Sequence, residues 1–175
     1  MWKQLTPLRK VQVALLAVFA TWLALTLLAP LTLPSGSVLD LSGSVGRIDN
    51  LPQIEKMNPL AAFVYLVGDV NCHQIVDRSF TINGNEMPFC ARDTGIFFGL
   101  VLGMAMAATL RFRPSAMLVA LGFVPTALDG GLQLVTSYTS NNLLRVATGL
   151  IAGVAAAYLL VLLARRFLEA DARSR

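Results

Sequence analysis

Both cysteines and the single histidine of this 175-residue chain fall within one polar stretch, NCHQIVDRSFTINGNEMPFCARDTG, from Asn71 to Gly95. Thiolate, imidazole and carboxylate are the ligands that zinc and similar divalent ions select. Cys90-x-x-Asp93 also has the short spacing of a ligand pair, so Cys72, His73, Cys90 and Asp93 form a candidate metal site. Adjacent Cys72 and His73 reach one ion only across a bent backbone. Two other states of the thiols stay open: a Cys72–Cys90 disulfide, which an oxidising compartment favours, and free thiols. Asp93 also has a plainer role, because RDTG stands where an apolar run begins, and Asp93 or Thr94 can cap a helix there. His73 can equally be a satisfied loop histidine.

A second polar group lies further along the chain. Asp129 and Gln133 are one helical turn apart, and Asn142, Arg145 and Thr148 are spaced by three; each set therefore shares a helix face. An aspartate inside an apolar run is costly unless paired or wetted, which makes it a functional candidate, and Arg145 is its expected partner. The structural alternative is an Asp129–Arg145 bridge that only locks two helices. Arg78, Arg92 and Arg145 together suit a phosphate-bearing lipid or a small phosphorylated solute, although Arg78 and Arg92 can instead pair with Asp77 and Glu86. As an enzyme, the chain would use a bound ion to polarise substrate or water. Asp129 and His73 would move protons or orient ligands, Arg92 and Arg145 would neutralise an anionic group, and Arg78, Gln133, Asn142 and Thr148 would contact substrate. No Gly-rich phosphate loop, hydrolase elbow or HExxH helix names a reaction.

The elements that must position these residues are long and apolar. Hydrophobic residues make up 55% of the chain and charged residues 14%. The runs Val11–Ala29, Thr94–Leu110, Ser115–Thr136 and Leu143–Ala164 each supply about the 17–25 residues that a spanning helix needs. The expected fold is therefore an all-α integral membrane bundle of four transmembrane helices. Leu60–Val70 is too short to cross, and Asn58 followed by Pro59 is a good helix start, so residues 59–70 read as an interfacial or half-membrane helix. The first run follows Lys3, Arg9 and Lys10, as a signal peptide would, but APLTLPSGS offers no clear small-x-small cleavage site and the run reads as an uncleaved anchor.

Nine of the 14 basic residues flank these runs: Lys3, Arg9, Lys10, Arg111, Arg113, Arg165, Arg166, Arg173 and Arg175. With four crossings all of them face one side, which should be the cytoplasm. The expected order is a cytoplasmic N-terminus (1–10), helix one (11–29), an exoplasmic segment (30–93), a three-helix membrane core (94–164) and a cytoplasmic tail (165–175). The protein is thus placed in the cell membrane as a multi-pass chain in contact with the lipid bilayer. The net charge of +4 does not point to nucleic acid, since basic and aromatic residues do not interleave. Gly95, Gly99 and Gly103 recur every four residues, as do Gly149 and Gly153, giving faces for close helix contact and for a homo-oligomer. Pro30–Pro52 reads as an irregular loop or short strands, and the tail from Glu169 as a frayed helix end.

Three stretches, CHQIVDRSF, NGNEMPFCARDTGIFFG and DGGLQLVTSYTSNNLLRVATGLIAG, resemble in order the signatures of a prokaryotic integral-membrane family catalogued as domain of unknown function 2085. The likeness covers roughly Pro59 to Gly153. It implies that the family's motif positions fall on Cys72, His73, Gln74, Arg78, Ser79, Phe80, Cys90, Arg92, Thr94, Gly95, Asp129, Gln133, Asn142, Arg145 and Thr148. Asp93 stands where the family pattern has a third cysteine. A carboxylate can replace a thiolate as a zinc ligand, but it provides no Cys-x-x-Cys redox pair. The resemblance implies no activity, and three functions stay open: a metal-dependent membrane enzyme, an oligomeric transporter or ion-binding subunit, and a non-catalytic assembly partner with a disulfide-pinned loop. The inner halves of the last three runs carry almost no polar residues, which argues against a through-pathway.

Overall fold

The computed structural model describes residues 5–110 and 112–174. Lys3, Arg111 and Arg175, used above for orientation, lie outside the described residues. Helix α1 (Pro7–Leu28) begins where the Thr6 hydroxyl accepts from the Arg9 amide and Pro7 fills a position that needs no N–H, and it runs on into a tight turn at Ala29–Thr32. Helices α2 (Leu51–Ile54) and α3 (Pro59–Asn71) follow. The Asn58-Pro59 start is as expected: Asn58 Oδ1 accepts from the Ala61 amide at 3.0 Å. Buried Ala61, Val64, Tyr65, Gly68 and Asp69 form one stripe of α3.

The chain then departs from the expected all-α fold. Strands β1 (Ser79–Ile82) and β2 (Asn85–Cys90) form an antiparallel hairpin, with Ile82 opposite Asn85 and an irregularity between Ser79 and Thr81. Its two-residue turn, Asn83-Gly84, has φ of 55° and 72°, the left-handed conformation that the right-handed strand twist requires and that Asn-Gly adopts at least cost. Helix α4 (Ala91–Thr109) starts directly from β2. The third apolar run is broken into α5 (Ala116–Leu121) and α6 (Val124–Val135), because Pro125 has no N–H to continue the ladder across Gly122 and Phe123. Helix α7 (Asn142–Ser174) continues through the tail expected to fray. Four helical segments, Pro7–Thr32, Ala91–Thr109, Ala116–Val135 and Asn142–Ser174, are long and apolar enough to cross a membrane, and Pro59–Asn71 is shorter.

Residues 33–50 are irregular but held by buried polar side chains. Glu86 accepts from the amides of Asp40 and Leu41 at 2.8 and 2.9 Å. Asn85 accepts from Val38 N and donates to the carbonyls of Pro30 and Pro34. Asp69 accepts from the Asn50 amide and side chain, and Asn50 also donates to Gln74 Oε1 at 3.0 Å. These are obligatory bonds, since a buried backbone or carboxylate group left unpaired would cost more than the loop gains by folding. Beneath them Trp22, Phe63, Phe89 and Phe97 pack edge to face.

The α4–α7 contact sets the depth of everything else. A Cβ added to Gly95, Gly99, Gly149 or Gly153 would run into the carbonyls of Val146, Leu150, Arg92 and Ile96 respectively, and one on Gly103 would lie 2.9 Å from Ala157 Cβ. The glycine stripes are thus used within the chain, α4 against α7. Gly99→Ala should destabilise the detergent-solubilised protein by about 1–3 kcal/mol, because backbone has to give way. Gly131→Ala, which meets nothing within 4 Å, should be neutral or stabilising by roughly 0.4–1 kcal/mol. Thermal unfolding of the two variants side by side checks the contrast.

Candidate functional site

Cys72 ends α3, its amide bonded to Gly68 O at 2.8 Å and its backbone extended at φ −133°, ψ 150°. Gln74, at φ 46°, then turns the chain and donates to Pro88 O at 2.9 Å, clamping β2 beside Cys72. Cys90 closes β2 and precedes α4. Its amide donates to Cys72 Sγ at 3.3 Å, and its thiol contacts Asp93 Oδ2 at 3.4 Å. One ligand atom each from Cys72, Cys90 and Asp93 lies within 4.8 Å of the others, with both thiols free.

His73 does not join them, which corrects the four-ligand expectation. Successive side chains of an extended segment point to opposite faces, so burying Cys72 leaves His73 exposed. The capping role fails too: Cys90 occupies the cap position with no side-chain cap bond, and Thr94 donates back to Cys90 O at 3.0 Å. Asp93 sits in the first turn, where the helix dipole favours its charge. The Cys72 thiol is pushed far up, first by donating a hydrogen bond to Cys90 and second by burial, and the same bond holds Cys90 below an ordinary thiol.

The Asp129 carboxylate takes a different partner from the one expected. Arg92 from α4 pairs with Asp129 Oδ2, Tyr138 donates to Oδ1 at 3.1 Å, and Gln133 Nε2 approaches Oδ2 at 3.4 Å. Arg145 instead donates to Gln133 Oε1 at 3.2 Å, Asn142 Oδ1 at 3.0 Å and Asp77 O at 3.3 Å. Gln133 thus links the two guanidinium groups' networks. Arg145 is only 4% exposed, and all three of its acceptors are neutral. Arg78 and Arg92 do not pair with Asp77 and Glu86; among the described residues the ion pair is Arg92–Asp129.

A cavity of about 60 Å³ joins these groups, lined by Cys72, His73, Ile75, Arg78, Cys90, Arg92, Gln133 and Arg145. It has room for about two waters or a small ion. The buried Arg92 Nε has no hydrogen-bond partner. Asn142 and Thr148, expected at the substrate, do not line it. Asn142 Nδ2 donates to Ser79 O, tying α7 to the hairpin, and Thr148 Oγ1 donates to Leu144 O and Arg145 O within its own helix. Asp129 also stays off the cavity and acts on it through Arg92 and Gln133. Tyr138 was not among the expected residues, and a lone tyrosine in the SYTSNN turn gives no signal by spacing.

The sequence model of the family described as predicted membrane protein (DUF2085) matches residues 72–159. The chain belongs to that family. The match begins at Cys72, later than the expected Pro59, and it takes in every residue of the cavity. Two curated relatives of this DUF2085 chain are archaeal. Uncharacterized protein MJ1492 of Methanocaldococcus jannaschii is 38% identical over 95 residues, which cover 51% of this chain and 61% of that protein. An uncharacterized protein of Methanothermobacter thermautotrophicus is 37% identical over 91 residues, 50% of this chain and 82% of its own length. No solved structure matches the chain.

Arg92 and Asp129 should be strongly coupled. In a double-mutant cycle of Arg92→Gln and Asp129→Asn, the interaction energy from denaturant unfolding should be about 1–3 kcal/mol. Arg92→Gln should cost more than its share, because it leaves the buried Asp129 carboxylate without its cation. The same cycle with Arg145→Gln should show weaker coupling to Asp129.

Proposed function

We propose that the chain crosses the membrane four times, with the cysteine-bearing end outside and both termini in the cytoplasm, and that Cys72, Cys90 and Asp93 hold a divalent cation, zinc by ligand chemistry, at the wall of an anion-attracting cavity. The basic ends of the helices, Arg9, Lys10, Arg113, Arg165 and Arg166, support the orientation. The metal reading is supported by the donor set: two sulfurs and a carboxylate suit zinc, and three protein ligands leave a fourth position open for water or substrate.

The observation that carries the functional reading is the charge around this group. Two thiolates and a carboxylate on a divalent ion leave one net negative charge. Arg78 and Arg145 line the same cavity without an acid partner among the described residues. They can balance that charge and still draw in an anionic group, as a substrate carrying phosphate or carboxylate would offer. The reading is therefore a metal-dependent membrane enzyme acting on a lipid-linked or otherwise anionic substrate at the outer surface.

A bound ion of this kind supplies Lewis acidity and an activated water. The chain's own residues do the remaining work. Arg78 and Arg145 orient the anion, Arg92 presents its free Nε under the hold of Asp129, and Gln133 fixes the spacing of Arg145 from that pair. His73, on the cavity and outside the ligand group, is the side chain suited to take or give a proton.

Protein purified in detergent without reductant or chelator should contain about one ion per chain with both cysteines reduced, and Cys72→Ser or Cys90→Ser should lower metal affinity by at least tenfold. Elemental analysis with thiol counting by mass spectrometry measures both. A Cys72–Cys90 disulfide together with less than about a tenth of an ion per chain would replace the metal reading with a pinned scaffold.

A further inference from the structure

At the end of the bundle opposite the cysteines lies a far larger cavity, about 660 Å³. It forms where Gln12 of α1 donates to Ala107 O of α4 at 3.0 Å, holding the two helix ends together. Arg9, Arg113 and Arg165 line it from three separate segments. None of them makes an ion pair among the described residues.

Tyr158 of α7 lies in the same wall. It is 4% exposed, packed edge to face on Phe112 at 5.9 Å, and its hydroxyl has no hydrogen-bond partner. A buried tyrosine normally satisfies that hydroxyl. Phe112, Pro114 and Tyr158 also begin a second hollow of about 200 Å³, almost wholly apolar, that continues along α5 and α7 past Leu118, Ile151 and Val154. Three unpaired cations and a free donor therefore open onto an apolar trough.

We propose that this is a binding site for one anionic phospholipid of the leaflet at that end, with the phosphate among Arg9, Arg113 and Arg165, Tyr158 donating to it, and an acyl chain in the trough. A free phosphate would account for the cations but not for the trough. A neutral lipid would account for the trough but leave the three arginines unbalanced. The site rests on the membrane reading above and is independent of the metal.

Native mass spectrometry of the full chain in mild detergent tests it, with phosphatidylglycerol, phosphatidylcholine of matched chains and inorganic phosphate as probes. Phosphatidylglycerol should bind at least about tenfold more tightly than phosphatidylcholine, and Arg113→Gln and Arg165→Gln should each weaken it about fivefold. Tyr158→Phe keeps the ring packing, so it should leave the lipid-free melting temperature unchanged and still weaken phosphatidylglycerol binding by roughly fivefold. Equal affinity for the two lipids, equal affinity for inorganic phosphate, or an unchanged preference in the Arg113→Gln, Arg165→Gln double variant would overturn the assignment. Alkaline carbonate extraction of native membranes separates the failures: a chain released by it refutes the membrane reading, whereas a retained chain that does not discriminate lipids refutes only this site.

Discussion

The backbone contact between α4 and α7 governs the rest of the molecule. Lipid tails are as apolar as leucine, so helices in a membrane gain little by hiding apolar side chains from them and instead associate where small residues let backbones touch. Here Gly149 meets the Arg92 carbonyl and Gly95 meets the Val146 carbonyl. These two contacts fix the first turn of α4 against the first turns of α7. Arg92 and Asp93, just after Cys90, consequently stand at the depth of Arg145, and α6, joined to α7 by a short turn, brings Asp129 and Gln133 to the same level.

Charge is distributed unevenly around that contact. Above it, Glu86 and Asp69 are buried carboxylates satisfied by backbone amides and by Asn50, an arrangement that shapes the loop over residues 33–50 without using any arginine. Arg78, Arg92 and Arg145 are left for the cavity. Arg92 is neutralised by Asp129, while Arg145 is buried among a glutamine, an asparagine and a backbone carbonyl. A buried cation with neutral acceptors only is favoured by any negative charge that comes close, which is what the proposed cation site of Cys72, Cys90 and Asp93 would bring once loaded. Under that proposal the two halves of the site face each other across about 60 Å³ of space.

Much of this was legible from spacing. The four apolar runs, the Asn58-Pro59 start, the glycine stripes and the convergence of three polar segments follow from helix period and bilayer length. The hairpin was also legible, since TINGNE carries an Asn-Gly turn between strand-like residues, but the dense polar residues of Asn71–Gly95 read as a loop. The partner of Asp129 was not legible. Helix period places Arg145 opposite it, and only the meeting of Gly149 with the Arg92 carbonyl decides that Arg92 arrives first. Adjacency misled for His73, because an extended backbone sends neighbours apart. The basic cavity around Tyr158 was hidden because its residues come from α1, the α4–α5 connection and α7, which no local pattern relates.

The α4–α7 packing brings Cys72, Cys90 and Asp93, two sulfurs and a carboxylate, beside the arginine cavity, where we propose that they ligate one ion. X-ray absorption at the zinc edge of metal-loaded protein reads that ligand set. It should show two sulfur scatterers at about 2.3 Å with the remaining shell made of oxygen or nitrogen at about 2.0–2.2 Å. A shell without sulfur would contradict it.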